Sequence, residues 1–170
     1  MSIKLRQYKK CDGNTIAGWI KSERALRMWS SDRYGDFPIT ADDINKKYYE
    51  NNGDCDEADN FYPFVAFDDE GLIGHLIMRY VDKSKSTVRL GYIIVDDERR
   101  GQGYGKKMLQ MAVAYVFDYL GAERITLGVF EINESAYGCY RAVGFRETGE
   151  ISVRSPYGED WQFIEMEITR

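Results

Sequence analysis

Residues Arg99 to Lys107 read RRGQGYGKK, with glycines at 101, 103 and 105 set between Arg99, Arg100, Lys106 and Lys107. Glycine leaves backbone N–H groups open to close approach and the flanking cations neutralise charge, so the stretch suits a phosphate. Upstream, Thr87 to Val95 alternates as a strand does; downstream, Met108, Leu109, Ala112, Val113, Val116, Phe117 and Leu120 share one face of a helix that starts near Gly103. The glycines therefore lie where a strand hands over to a helix N-terminus. The first N–H groups of a helix have no partner within it and carry the positive end of its dipole, which makes an anion site. Two familiar phosphate patterns fail here. G-x-x-x-x-G-K-[ST] meets Arg100 five residues before Gly105 and Lys107 after Lys106, and G-x-G-x-x-G meets Lys106 or Met108 in place of its third glycine. A nucleotide hydrolase built on either pattern is excluded.

The elements that must hold this loop can be read on either side of it. Ile3 and Leu5 alternate with Lys4 and Arg6 as a strand. A helix capped from Asp12 to Asn14 carries Ile16, Trp19 and Ile20 and extends to Leu26, and Thr40 caps a second over Ala41 to Tyr49. Trp29 to Thr40 and Asn51 to Asn60 read as loops. Tyr62 to Phe67, Leu72 to Val81 and Thr87 to Val95 form a meander through DDEG and DKSKS turns. After the long helix, with Gly121 at its C-cap, come a strand (Arg124 to Phe130), a helix (Asn133 to Val143) stopped by Gly144, and two closing strands around SPYGED.

A chain of 170 residues can bury a core, and one domain over residues 1–170 is expected. The composition, 44% hydrophobic and 30% charged, is that of a globular protein. A net charge of −5 argues against a nucleic-acid face. Cys11, Cys55 and Cys139 are too scattered for a disulfide framework or a metal site. MSIKLRQYKK is too polar for a signal sequence, and no apolar run nears the roughly 20 residues that span a bilayer, so a cytoplasmic protein with no membrane partner is expected.

The glycine loop also fits [Q/R]-x-x-G-x-[G/A] through Arg100, Gly103 and Gly105, and a second element, N-x-x-A-x-x-x-Y-x-x-x-G-F, is complete as Asn133, Ala136, Tyr140, Gly144 and Phe145. On these two elements the chain resembles the GNAT family of acyl-CoA-dependent N-acetyltransferases, strongly over Phe64 to Phe145 and nearest to the ribosomal-protein-type and related small-molecule enzymes. The resemblance implies a mixed α/β fold: a central, mostly antiparallel twisted sheet, splayed between its fourth and fifth strands and flanked by helices. It implies acetyl transfer from acetyl-CoA, without a metal, to a primary amine of a small molecule or a peptide N-terminus, by direct attack in a ternary complex. Homodimers are common in the family.

By the same resemblance, Arg100 and the backbone of Gly101, Gln102, Gly103, Tyr104, Gly105 and Lys106 would hold the coenzyme pyrophosphate. Ile93, Ile94 and Val95 would pair with the pantetheine, with an N–H near Ile94 and Val95 polarising the thioester carbonyl. Asn133 would bond the coenzyme, cap the helix that follows, or do both. Tyr140 would share or donate a proton to the departing thiolate.

The proton on the amine has no such receiver. A lysine-like amine near pKa 10.4 is neutral about once in a few thousand molecules at pH 7. Ribosomal-protein acetyltransferases carry a Glu five residues before the Asn of the second element, and here that position is Gly128. Glu131 falls on the opposite strand face; His75 would share a face with Ile73 and Ile77, a place where a packed histidine is the commoner outcome. Glu131, if the strand breaks before it, and His75 stay candidates, and a relay of ordered water to a backbone carbonyl or to an acidic residue from a loop is the leading route. Trp29, Asp32, Tyr34, Asp36 and Phe37, with Tyr157, Glu159 and Asp160, would form the acceptor side, carboxylates and aromatics suiting a cationic amine. The missing base also leaves room for an acyl-CoA-binding module without turnover.

Overall fold

In the computed structural model, which describes residues 2–170, the chain runs β1 (Lys4–Gln7), α1 (Gly13–Trp19), α2 (Glu23–Ser30), α3 (Ala41–Asn45, continued in π-helical turns over Lys46–Glu50), β2 (Tyr62–Asp68), β3 (Gly71–Tyr80), β4 (Thr87–Val95), α4 (Tyr104–Ala114, continued in π-helical turns over Tyr115–Leu120), β5 (Arg124–Phe130), α5 (Glu134–Val143), β6 (Arg146–Arg154) and β7 (Trp161–Thr169). The strands make one sheet in the order β1-β2-β3-β4-β5-β7-β6, antiparallel except for β4 beside β5. This is the mixed α/β sheet expected.

One expectation is corrected at the first helix, which is two. Ile20 adopts an extended backbone and ends α1; the Ser22 hydroxyl then accepts the Ala25 N–H at 3.0 Å and starts α2, to which the fully buried Leu26 belongs. The new direction lets α2 lie against β4 while α1 packs on α3.

The sheet separates two apolar cores. On one face α4 and α5 bury Met108, Leu109, Tyr140 and Phe145 against Leu76, Leu90 and Leu127. On the other, α1 to α3 bury Ile16, Leu26, Ile44 and Tyr48 against Val65, Ile77, Tyr92 and Ile94. Each such aliphatic side chain contributes about 1.5–3 kcal/mol by leaving water. Two bulges set which residue faces which core. Along β3, Leu72 opposes Phe67 and Gly74 opposes Ala66, so Ile73 is the extra residue; it joins the α4 core, not the face of His75 and Ile77 where alternation had placed it.

The second bulge parts the sheet. His75 opposes Ile94 and Ile77 opposes Gly91, which leaves Tyr92 and Ile93 together across from Leu76, with Tyr92 at φ 47°. β4 and β5 are laddered only at Thr87–Arg124, Val88–Ile125 and Arg89–Thr126. From Leu90 onward the two strands diverge.

His75 is wholly buried, and its ring is tied at both nitrogens. The Phe64 carbonyl can only accept, so Nδ1–H donates to it at 2.7 Å and Nε2 accepts from the Tyr48 hydroxyl at 2.7 Å. Burial lowers its pKa from 6.5 to about 4. The unfolded chain therefore binds this proton more readily than the folded one, and the stabilisation is complete above about pH 6.5 and lost as pH falls toward 4. It amounts to about 3 kcal/mol at 1.36 kcal/mol per unit. Urea denaturation should show wild type losing more stability between pH 7 and pH 4 than His75→Asn, by 1 kcal/mol or more.

Candidate functional site

The gap between the diverging ends of β4 and β5 opens into a cavity of about 540 Å³ that runs from the glycine loop to the end of α2. Ile93, Ile94 and Val95 line it, and their β5-side edge has no strand partner. Arg100, Gly101, Gly103, Gly105, Lys106, Asn133 and Tyr140 line it as well. Gln102 and Tyr104 do not: the Gln102 amide reaches the Glu98 carbonyl at 3.4 Å, and the Tyr104 ring lies 5.5 Å beneath the Arg99 guanidinium.

The loop is shaped as its glycines demand. Gly101 and Gly103 have φ of 74° and 85°, and a Cβ built on either would meet no atom within 4 Å, so a concavity lies beside the backbone. Gly103 caps α4, and Lys107 is the first residue whose N–H closes back onto the loop, at 3.1 Å to the Gly103 carbonyl. The N–H groups of Tyr104, Gly105 and Lys106 are those a helix leaves without intrahelical partners. This cradle fits a pyrophosphate. Arg99, counted among its cations, is corrected: it is bound to Asp68 and Glu70 at 2.8 Å each and braces the loop instead. Arg100 turns back to the Val95 carbonyl at 3.1 Å.

Asn133 and Tyr140 sit at the two ends of one wall, on α5. Asn133 caps the helix through the Ala136 N–H at 3.4 Å and also faces the cavity, so its two readings are compatible. Tyr140 is 6% exposed, and its hydroxyl makes no hydrogen bond to a described residue. Burial, with Cys139 adding to it, holds its phenol well above the ordinary range, so it stays protonated at every physiological pH.

Gly128 has a structural reason to be glycine. A Cβ there would lie 2.1–2.4 Å from ring carbons of Phe163, whose aromatic ring occupies the volume a side chain would need. Any side chain at this position requires the Phe163 ring to move. Glu131 is exposed and outside the cavity, and His75 is closed off by its two partners.

The acceptor end departs further from expectation. Trp29 lines the cavity, stacked on Tyr34 at 5.6 Å and tilted against Tyr92 at 5.2 Å. Arg27 fixes the loop after α2 by donating to the carbonyls of Tyr34 and Gly35 at 2.9 Å each. The carboxylates are elsewhere: Asp32 and Asp36 are exposed on that loop, Glu159 accepts from Trp161 Nε1 at 3.0 Å, and Asp160 from the Ser155 hydroxyl at 2.6 Å. What lines this end is Arg33, Arg79, Arg89 and Arg154, which the sequence reading passed over. Alternation along β3 puts Arg79 on the face of His75 and Ile77, a signal that was present; its juxtaposition with Arg89 needed the strand register.

A family model described as the acetyltransferase (GNAT) family matches residues 23–145. The chain belongs to that family. Among curated relatives of this GNAT chain, N-acetyltransferase 8B of Homo sapiens is 30% identical over 131 residues, 74% of this chain and 53% of the relative; the chain spans about half that protein's length. The spermine/spermidine N(1)-acetyltransferase of Bacillus subtilis is 29% identical over 103 residues, 58% of this chain and 68% of the relative. The GNAT fold is shared with the spermidine N-acetyltransferase of Vibrio cholerae, solved with CoA and spermine, at a TM-score of 0.78 and 21% identity over 98% of this chain and 95% of that one. It is shared too with the aminoglycoside acetyltransferase AAC(6')-Ib, solved with coenzyme A, at 0.77 and 17% over 99% and 95%. Among the described residues no helix is long and apolar enough to cross a membrane.

Proposed function

We propose that this chain transfers the acetyl group of acetyl-CoA to an amine by direct attack, both substrates lying in the one cavity between β4 and β5. The observation that carries this reading is the divergence of those strands with an unpartnered phenol, Tyr140, on one wall and the glycine cradle at one end. Gly101 to Lys106 and the nearby Lys106 side chain would hold the pyrophosphate, and the free edge of Ile93 to Val95 would pair with the pantetheine amides. Bound acetyl-CoA supplies the activated acyl group.

The residues of the chain then have separate tasks. An N–H near Ile94 and Val95 faces the acyl oxygen and stabilises the charge that develops there. Tyr140, held protonated, donates a hydrogen bond to the departing sulfur; its raised pKa makes it a sharer of its proton more than a giver of it. With no carboxylate at Gly128, the amine proton leaves through water.

Direct attack is supported by the one thiol in the cavity. Cys139 is partly buried and burial raises its pKa above that of a free thiol, so little thiolate is available to accept an acyl group. Initial rates should give intersecting double-reciprocal plots, and Cys139→Ala should keep more than half of wild-type kcat. Parallel plots with loss of activity would point to an acyl-enzyme instead. The cradle is tested by Gly103→Val, which strains a backbone at φ 85° and fills the concavity. Acetyl-CoA affinity by calorimetry should fall tenfold or more, and wild-type affinity would remove the loop from the binding site.

A further inference from the structure

Of the arginines that line the far end of the cavity, Arg33, Arg79, Arg89 and Arg154, Arg89 alone has an ion pair with a carboxylate among the described residues. Arg79 and Arg89 oppose each other directly across β3 and β4, an arrangement that like charges disfavour. Arg89 is answered by Glu165, which accepts two hydrogen bonds at 2.8 and 3.0 Å. Arg79, partly buried, has no ion pair among the described residues. Arg154 lies with its guanidinium carbon 3.7 Å from the centre of the Phe163 ring, a cation–π contact, and makes no ion pair among the described residues. Arg33 sits 5.8 Å over Tyr92. The other carboxylates of the neighbourhood, Asp32, Asp54 and Asp56, are all exposed and none lines the cavity; Asp54 is bound to Lys47 at 2.5 Å.

These cations are not for the coenzyme phosphates. Arg89 lies six residues before Val95 along β4, roughly 20 Å up the strand at 3.3 Å per residue, on the side away from the glycine loop that follows Val95. The apolar side chains of Trp19, Trp29 and Phe61 also line the cavity. Trp29 Nε1 and Tyr92 Oη, on residues that line the cavity, are buried polar atoms without a hydrogen-bond partner among the described residues.

On the acetyltransferase reading above, we propose that the acceptor amine carries a carboxylate, held by Arg79 and Arg154, and is not a polycation. A guanidinium binds a carboxylate through two parallel N–H donors; Arg79 and Arg154 make no ion pair among the described residues, the nearest carboxylate to Arg154, Glu165, being already held by Arg89, so either can supply that fork. The same positive field repels a polyamine. It also disfavours the ammonium form of the bound amine, which does part of the work of the base that Gly128 cannot provide.

The test is thiol release from acetyl-CoA with matched amines that differ only in the carboxylate: L-phenylalanine against phenethylamine, L-lysine against cadaverine, with spermidine as the polycation. The carboxylated member of each pair should have a kcat/KM at least tenfold higher, and spermidine should be poorest. Arg79→Gln and Arg154→Gln should each raise KM for the carboxylated amine tenfold or more, with the KM for acetyl-CoA retained, and Arg154→Lys should recover less than half of the loss. Preference for spermidine or for the decarboxylated partners, with thiol still released, would overturn the proposal and leave the transferase reading standing. If no amine releases thiol, the transferase reading fails. Titration of L-phenylalanine and phenethylamine into the CoA-loaded protein then decides the acceptor charge: tighter binding of phenylalanine upholds it, and equal or undetectable binding overturns it.

Discussion

Tyr140→Phe is expected to lower kcat about a hundredfold while leaving the affinity for acetyl-CoA within twofold of wild type. The substitution deletes one oxygen and keeps the ring, which packs at 6.3 Å from Phe145 in the α4 core, so the fold has no reason to change. What disappears is the hydrogen bond to a sulfur that is gaining charge. Bonds to charged groups contribute about 1.5–3 kcal/mol, and positioned proton donors are worth about 10²–10⁴ in rate. Since the hydroxyl has no hydrogen-bond partner among the described residues, the loss falls on the reaction and not on stability. Stopped-flow detection of free thiol, with acetyl-CoA binding measured separately, checks this; unchanged kcat would remove Tyr140 from the chemistry.

The second large effect lies at Gly128. A Glu placed there to restore the carboxylate of the ribosomal-protein enzymes should not create a base. Its Cβ alone would lie 2.1 Å from the tip of the Phe163 ring, which must shift, since Gly128 itself is laddered to Glu165 between the Val129–Ile164 and Leu127–Met166 pairs. Overpacking of this kind costs about 1–3 kcal/mol and here should reach the upper end. Gly128→Ala already tests it, and Phe163→Ala in the same chain should recover at least 1 kcal/mol of the loss in urea denaturation, the signature of two groups competing for one volume. Additive effects would show that the ring moves aside at no cost.

These two positions mark what the sequence could and could not reveal. Tyr140 was legible because its element is local: Asn133, Ala136, Tyr140 and Gly144 lie on one helix and its caps, and helical spacing alone puts them in order. The strands Thr87–Val95 and Arg124–Phe130 were legible for the same reason, by alternation. The break between α1 and α2 left a signal, Ser22 ahead of Glu23, that the run of apolar residues overrode. The bulge at Ile73 left none, and one inserted residue reversed the facing of that side chain. The Phe163 ring over Gly128 and the meeting of Arg79, Arg89 and Arg154 depend on the register of strands distant in the chain. No period in a single segment encodes a register, so the arginines that line the far end of the cavity went unread while the carboxylates of the loops drew attention.

The two cores described for the sheet have a consequence for how such a protein changes over time. The glycine loop and Tyr140 are founded on the α4–α5 core, whereas Trp29 and Tyr92 are founded on the α1–α3 core, and the sheet stands between them. Substitutions distant in space and without shared partners act additively. On the function proposed for this chain, a lineage could therefore rebuild the walls built on the α1–α3 core, residue by residue, without disturbing those built on the α4–α5 core.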